Sequence, residues 1–144
     1  MSQLIYKIIN NVINYSQSEF GNYIIQLVFK TVPISLKPMK ELITAIFKNI
    51  IRLSTNKYSS NILIKIIESF EKLRGRAIRE LFHNSKLYML TKNKYGILVL
   101  ETFIKYLSST EKVDMKTVIV KRFNKDERTN KEVEKLNQVL EMLN

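Results

Sequence analysis

The sequence predicts an all-α fold, an α-solenoid of stacked helical repeats, and three observations predict it. First, one stretch recurs. YSQSEFGNYIIQLVFK (15–30), LSTNKYSSNILIKIIE (53–68) and LTKNKYGILVLETFIK (90–105) align with Phe20, Tyr58 and Tyr95 in one column, 38 and 37 residues apart. A period of that size marks stacked repeats, because a single unit cannot bury its apolar face alone. Second, the segments between copies place apolar residues at i, i+3 and i+4, the helical period. Third, strand alternation is absent, and only three Gly and two Pro in 144 residues favour helices with short connections.

The elements follow in order. Leu4, Ile5, Ile8, Ile9 and Val12 form the first apolar stripe. Each copy of the recurring stretch then opens with polar residues, an aromatic and a small residue before an apolar helix. Ser18, Thr55 or a nearby Asn is suited to cap that helix. Met39, Leu42, Ile43, Ile46, Phe47 and Ile50 follow Pro38, a good helix-start residue. Ala77, Ile78, Leu81 and Phe82 precede the third copy, with an extra segment, NSKLYML (84–90), in between. EKVDMKTVIVKRF (111–123) gives one more helix, NKDERTNKE (124–132) a polar break, and VEKLNQVLEML (133–143) a last amphipathic helix that closes the stack. One domain therefore spans 1–144, with repeat 1 at about 1–33, repeat 2 at about 34–71, repeat 3 at about 72–108 and closing helices at 109–144. The first helix leaves Leu4, Ile5, Ile8 and Ile9 exposed. That predicts pairing with an earlier unit of a longer array, or self-association through the N-terminal helix.

Composition narrows the function. The net charge of +11, from 24 Lys and Arg against 13 Asp and Glu, suits a polyanionic partner. The 18 Lys, 19 Ile and 13 Asn would also follow from AT-biased codon usage, so charge alone leaves both readings open. The lack of Cys removes disulfides, thiolate metal sites and thiol nucleophiles, and fits a reducing intracellular compartment. Lys, Asn or Gln interrupts every apolar run before membrane-spanning length, and the N-terminus lacks a signal pattern. His83 beside Asn84 reads as a surface residue at a helix end. Asp114 and Asp126 are the only aspartates, and Glu132 and Glu134 belong to a charged helix face. None of these makes a nucleophile–base pair or a metal cluster. No enzyme activity, catalytic residue, metal, cofactor, small-molecule substrate or membrane partner is expected.

The chemistry sits in the recurring stretch. Asn22 and Gln26 are i and i+4 on a helix, one above the other, and Tyr23 lies about 100° further round. A solvated amide pair of this kind can meet the Watson–Crick edge of one base while a flanking ring stacks on it, the device by which one helical repeat reads one nucleotide. The same spacing also fits a turn and cap at Gly21–Asn22, a half-buried Tyr23 and a solvated Gln26.

SEFGNYIIQ (18–26) resembles the recognition-helix signature of Pumilio/PUF repeats, aromatic-Gly-Asn-Tyr-Val-Ile-Gln. NKYSSNILIKIIE (56–68) is similar to a second family form, aromatic-Ala/Gly-Ser-Asn-Val-Val/Ile-Glu-Lys. SKLYMLTKNKYGILVLETF (85–103) resembles the terminal repeat with its longer lead-in, and RTNKEVEKLNQVLEML (128–143) stands where the closing helix would be. The resemblance covers nearly the whole chain and implies the C-terminal three repeats of such an array.

The resemblance implies roles residue by residue. Asn22 and Gln26 would contact a uracil edge and Tyr23 would stack on the base. Ser60 and Asn61 match edge and stacking positions of a guanine-reading repeat, but Ile64 replaces its Glu, with Lys65 following. Ile97, Leu98 and Glu101 fill the third triplet, where only Glu101 is polar. Lys57, Lys65, Lys92, Lys94 and Lys105 lie where phosphates could be neutralised, or on solvated helix flanks. The function implied is a single-stranded RNA-binding module for uridine-containing messenger 3′ untranslated regions. It would repress translation or promote decay in the cytoplasm, with protein effectors. The alternative is a diverged helical-repeat scaffold that binds protein through the apolar Ile97 and Leu98.

Overall fold

Met39, Leu42, Ile43, Ile46, Phe47 and Ile50, spaced for one helical face, are all buried. That stripe shows how the chain folds: each helix inserts one apolar face into a shared core, and each fully buried Ile, Leu or Phe contributes about 1.5–3 kcal/mol. The computed structural model describes residues 2–123 and 130–144. The first set of helices comprises α1 (Ser2–Asn10), α2 (Val12–Ser16) and α3 (Gly21–Thr31). The second comprises α4 (Lys37–Lys48), α5 (Ile50–Ser54) and α6 (Ser59–Ser69). The third comprises α7 (Glu71–Phe82), the 3-10 helix η1 (Leu87–Lys92) and α8 (Lys94–Ile104), followed by α9 (Ser109–Phe123) and α10 (Asn130–Met142). Among the described residues there is no strand, and the fold is an all-α solenoid. The first six residues of the expected polar break at 124–132 lie outside the described residues.

The helices form two layers. In one, α1 packs on α4 and α4 on α7; in the other, α3 packs on α6 and α6 on α8. Short α2, α5 and η1 join the layers at one end. Arg76 ties the first layer across units, donating from Nη2 to Thr44 Oγ1 at 2.9 Å with its guanidinium 5.4 Å from the Phe47 ring. Arg74 ties the second, donating to the last carbonyls of α6, Ile67 O at 2.6 Å and Glu68 O at 2.9 Å. Its guanidinium stacks 3.9 Å from the Tyr106 ring, just past α8. Met115 and Ile119 seat α9 in the core, and Leu136 and Val139 seat α10, which packs on α8 and η1.

Two expectations about helix ends and faces change. Ile5 and Ile8 are buried, because α1 turns that face onto α4, and Ile9 packs against the core; only Leu4 of the expected stripe is exposed. The open apolar surface of the first unit lies on α3 instead, at Phe20, Ile24 and Leu27. Ile24 is 40% exposed, whereas Ile62 and Val99 in the same column are 1% and 0% exposed, each covered by the second-layer helix before it. The caps also differ from Thr55, whose hydroxyl donates back to Ile51 O. Asn56 Oδ1 accepts from the N–H groups of Tyr58 and Ser59, and Asn93 Oδ1 from those of Tyr95 and Gly96. In the first unit Ser18 Oγ accepts from Gly21 N–H at 3.2 Å. Ser18, Asn56 and Asn93 form one column, because each must reach two or three residues forward to the open first turn.

The next column sets the height of the second layer. Gly21, Ser59 and Gly96 each lie in the first turn of a helix, against a carbonyl six residues earlier. A Cβ on Gly96 would lie 2.5 Å from Leu90 O, and one on Gly21 would be closer still to Tyr15 O. Ser59 instead turns the approach into a bond, its Oγ donating to Leu53 O at 2.7 Å. Gly75, midway along α7, has no such neighbour: an added Cβ meets only Arg79 Nη1, at 3.5 Å. Gly21→Ala and Gly96→Ala should therefore each destabilise the fold by about 1–3 kcal/mol through overpacking. Gly75→Ala should stabilise it by about 0.5–1 kcal/mol as a helix-interior substitution. Urea melts of the three variants check the contrast.

Candidate nucleic-acid interface

The three second-layer helices place the expected triplets at the same level, and each column has one kind of environment. The first column, Asn22, Ser60 and Ile97, is buried in every unit. The second, Tyr23, Asn61 and Leu98, is exposed in every unit, with Tyr23 at 64% and Leu98 at 50%. The third, Gln26, Ile64 and Glu101, is half-buried. A row of exposed side chains therefore crosses the solvent face of α3, α6 and α8, with the third column beside it. The stack brings all the expected site residues onto one layer of helices, but not onto one surface.

Asn22 is the clearest departure. It is fully buried rather than solvated, because it opens α3 directly over the turn at 18–20. Its Nδ2 donates to Ser18 O at 2.9 Å and to Glu19 O at 2.7 Å, and its Oδ1 accepts from Gln26 Nε2 at 3.0 Å. The pair is thus i, i+4 as expected, but one amide holds the other. Gln26 keeps its Oε1 and its second N–H for another group, one acceptor beside one donor. That matches the N3–H and adjacent carbonyl of a uracil edge. Tyr23, one residue from Asn22, stands free as a ring.

The other two units offer less. Ser60 is buried, and its Oγ donates back to Lys57 O at 3.3 Å. Asn61 presents its amide to solvent, with Nδ2 3.5 Å from Lys57 O. Ile64 has no polar atom to offer, and Lys65 beside it is exposed. In the third unit Ile97 is part of the core, so an apolar binding patch reduces there to Leu98. Lys57, Lys92, Lys94 and Lys105 are exposed, and Lys57 and Lys94 lie 5.5 and 5.1 Å from the rings of Tyr58 and Tyr95. His83 ends α7, exposed, with Nδ1 2.7 Å from Arg79 O.

The structure adds residues that the triplets did not flag. A cleft of about 350 Å³ runs between α3 and α6, from Gln26 past Lys30 on one side and past Lys65 and Ser69 on the other. Its floor is Phe29 against Phe70, with ring centroids 5.7 Å apart in edge-to-face contact. Lys30 lies one helical turn beyond Gln26, so the i+4 rule that paired Asn22 with Gln26 extends to it. Among the described residues no group of three or more His, Cys, Asp or Glu is placed to hold a metal ion, and no helix is long and apolar enough to cross a membrane.

Stacked three-helix units with one exposed row across the second layer define a helical-repeat protein. Comparison with known proteins gives the family. The model of the Pumilio-family RNA binding repeat matches residues 49–80 and 86–115. Pumilio homolog 12 of Arabidopsis thaliana is 33% identical over 104 residues, 71% of this chain and 17% of the relative. Putative pumilio homolog 10 of the same plant is 25% identical over 123 residues, 85% of this chain and 22% of the relative. A crystal structure of PUF-8 in complex with PBE-RNA matches with a TM-score of 0.77 at 16% identity, covering 99% of this chain and 42% of that one. The chain belongs to the Pumilio/PUF repeat family. It spans about a fifth of the length of the curated relatives it matches.

The burial pattern decides which of Asn22 and Tyr23 supports the fold. Asn22→Ala should cost about 1–3 kcal/mol, because it leaves the groups around a fully buried amide unpaired. Tyr23→Ala, on an exposed site, should stay within about 0.5 kcal/mol. Thermal melts of both variants check this; the opposite order would show that Tyr23 rather than Asn22 belongs to the core.

Proposed function

We propose that the chain is a single-stranded RNA-binding module that reads uridine through its first unit. The observation that carries this is the arrangement of Tyr23 and Gln26: an exposed ring beside an amide whose free acceptor and donor complement uracil. Asn22 orients Gln26 and so acts as the support of the reader. Asn61 and Leu98 continue the row as weaker stacking surfaces, with Ser60, Ile64, Ile97 and Glu101 adding little base discrimination. Lys30 and Lys65 flank the cleft beyond Gln26, where they neutralise phosphates. Family membership and the RNA in the PUF-8 complex support the same reading. On the same footing we assign the target to messenger 3′ untranslated regions, the outcome to repression or decay with protein effectors, and the place of action to the cytoplasm.

A second reading, a protein-interaction scaffold, is favoured by one observation, the open stripe on α3. Phe20 is 74% exposed and Leu27 57%, and with Ile24 they leave an apolar helix face uncovered. Self-association, proposed from the sequence for α1, belongs on this stripe instead. Sedimentation of the parent and of a Leu27→Lys variant separates the two: an oligomer lost in the variant favours the scaffold.

For the RNA reading the test is a titration with a uridine-rich single strand at two salt concentrations. Binding should weaken steeply with salt, because phosphate contacts outnumber base contacts. Tyr23→Ala should lose about 1–3 kcal/mol of stacking, with its melting temperature kept. Gln26→Ala should relax the preference for uridine over cytidine while retaining most of the affinity. Absence of binding at low salt, or binding indifferent to Tyr23, contradicts the proposal.

A further inference from the structure

At the end of the stack where first-layer helices turn into the short ones, two clefts follow one another. The first, about 340 Å³, is lined by Lys48 and Arg52 from the α4–α5 turn and by Lys86 from the α7–η1 turn, with Asn49 and Asn84 among them. The second, about 410 Å³, begins at Ser85 in that same turn and is lined across from it by Lys121 and Arg122 of α9. Five cations thus line two clefts that share the turn at 84–86, and among the described residues no carboxylate lines either. Arg122 is held in place, its guanidinium 4.5 Å from the ring of Tyr88 in η1. None of these residues belongs to the row on α3, α6 and α8.

The repeat architecture does not itself require this charge. The cleft at the corresponding place in the first unit is lined by Asn11, Asn14, Tyr15 and Ser18, and carries none. Asn14 occupies the column of Arg52. Cations gathered in this way repel one another, so a polyanion that brings several charges at once would stabilise the arrangement. Ile51, Met89 and Val118 add apolar surface to the lining, but its charged groups are all cations set around open space, which fits a phosphate backbone with one charge per nucleotide. A folded protein partner would need a buried anchor pocket.

We propose that this turn edge is a second, sequence-independent site for the phosphodiester backbone of single-stranded RNA that continues beyond the reading row. The proposal rests on the RNA reading above and explains how a chain with one complete triplet gains affinity: the base contacts choose the register, and the edge holds the flanking strand.

Two RNAs and two variants test it. One RNA is a short uridine-containing oligonucleotide sized to the three reading helices; the other carries the same core within a strand several times longer. One variant combines Lys48→Glu, Arg52→Glu and Lys86→Glu, and the other Lys121→Glu and Arg122→Glu; circular dichroism melts establish that each folds as the parent does. The triple variant should lose about tenfold or more in affinity for the long strand at low salt, and its salt slope should flatten by about 2, roughly 0.7 per phosphate released. The double variant should move the same way by less, and the short oligonucleotide should bind both as it binds the parent. Unchanged long-strand affinity and slope in both variants overturn the edge site while leaving the reading row intact, as does an equal loss for short and long strands. Unchanged long-strand binding combined with lost binding of poly-glutamate would assign the edge to an acidic protein segment instead. If the short RNA fails to bind and Tyr23→Ala changes nothing, yet the long strand still depends on the edge, the reading row fails and the edge stands.

Discussion

The start of each second-layer helix lies against a backbone carbonyl from the short helix before it, and the interface depends on that approach. Gly21 and Gly96 permit it by having no side chain, and Ser59 converts it into a hydrogen bond to Leu53 O. Because all three helices are held at this height, equivalent residues of successive units stand level. Asn22, Ser60 and Ile97 then fall under the surface together, and Tyr23, Asn61 and Leu98 rise above it together. Ser59 carries a Cβ and its helix still keeps this level, because its hydroxyl bonds the carbonyl that a bare methyl group at Gly21 or Gly96 would only crowd.

Level alignment gives the frame, and side-chain chemistry decides what each unit contributes. In the first unit a buried amide spends its hydrogen bonds on the turn and on Gln26, so that Gln26 is presented in one orientation. On the proposed RNA reading, such preorganisation lowers the entropy lost when a base arrives. In the second and third units the frame persists without the groups. Ile64 and Ile97 contribute to stability where a reader would need polar atoms, so on the proposed RNA reading discrimination concentrates in one unit.

The fold was legible in the sequence because periodicity survives substitution. The 38- and 37-residue spacing of Phe20, Tyr58 and Tyr95, with the stripe from Met39 to Ile50, defines helix, face and stacking without the identity of any single side chain. The site was legible only to the level of columns. Helical spacing puts Asn22 and Gln26 on one face, but not how deep that face lies, since depth comes from the approach of Gly21 to Tyr15 O, a contact between backbones. For the same reason Ile5 and Ile8 looked exposed: their cover, α4, begins only at Lys37, far along the chain. The basic turn edge escaped notice because Lys48, Arg52, Lys86, Lys121 and Arg122 share no spacing in sequence and meet only once the units stack.

The central claim is that uridine-containing RNA lies along α3, α6 and α8 with Tyr23 and Gln26 in contact with a base. Amide chemical-shift mapping by NMR, with a short uridine oligonucleotide added to the labelled chain, tests it most directly. The account predicts the largest changes at Tyr23, at the Gln26 side-chain amide and at Asn61, with the first-layer helices α1, α4 and α7 unmoved. Shifts concentrated on α1, α4 and α7, or spread evenly over exposed lysines with Tyr23 and Gln26 silent, would contradict it.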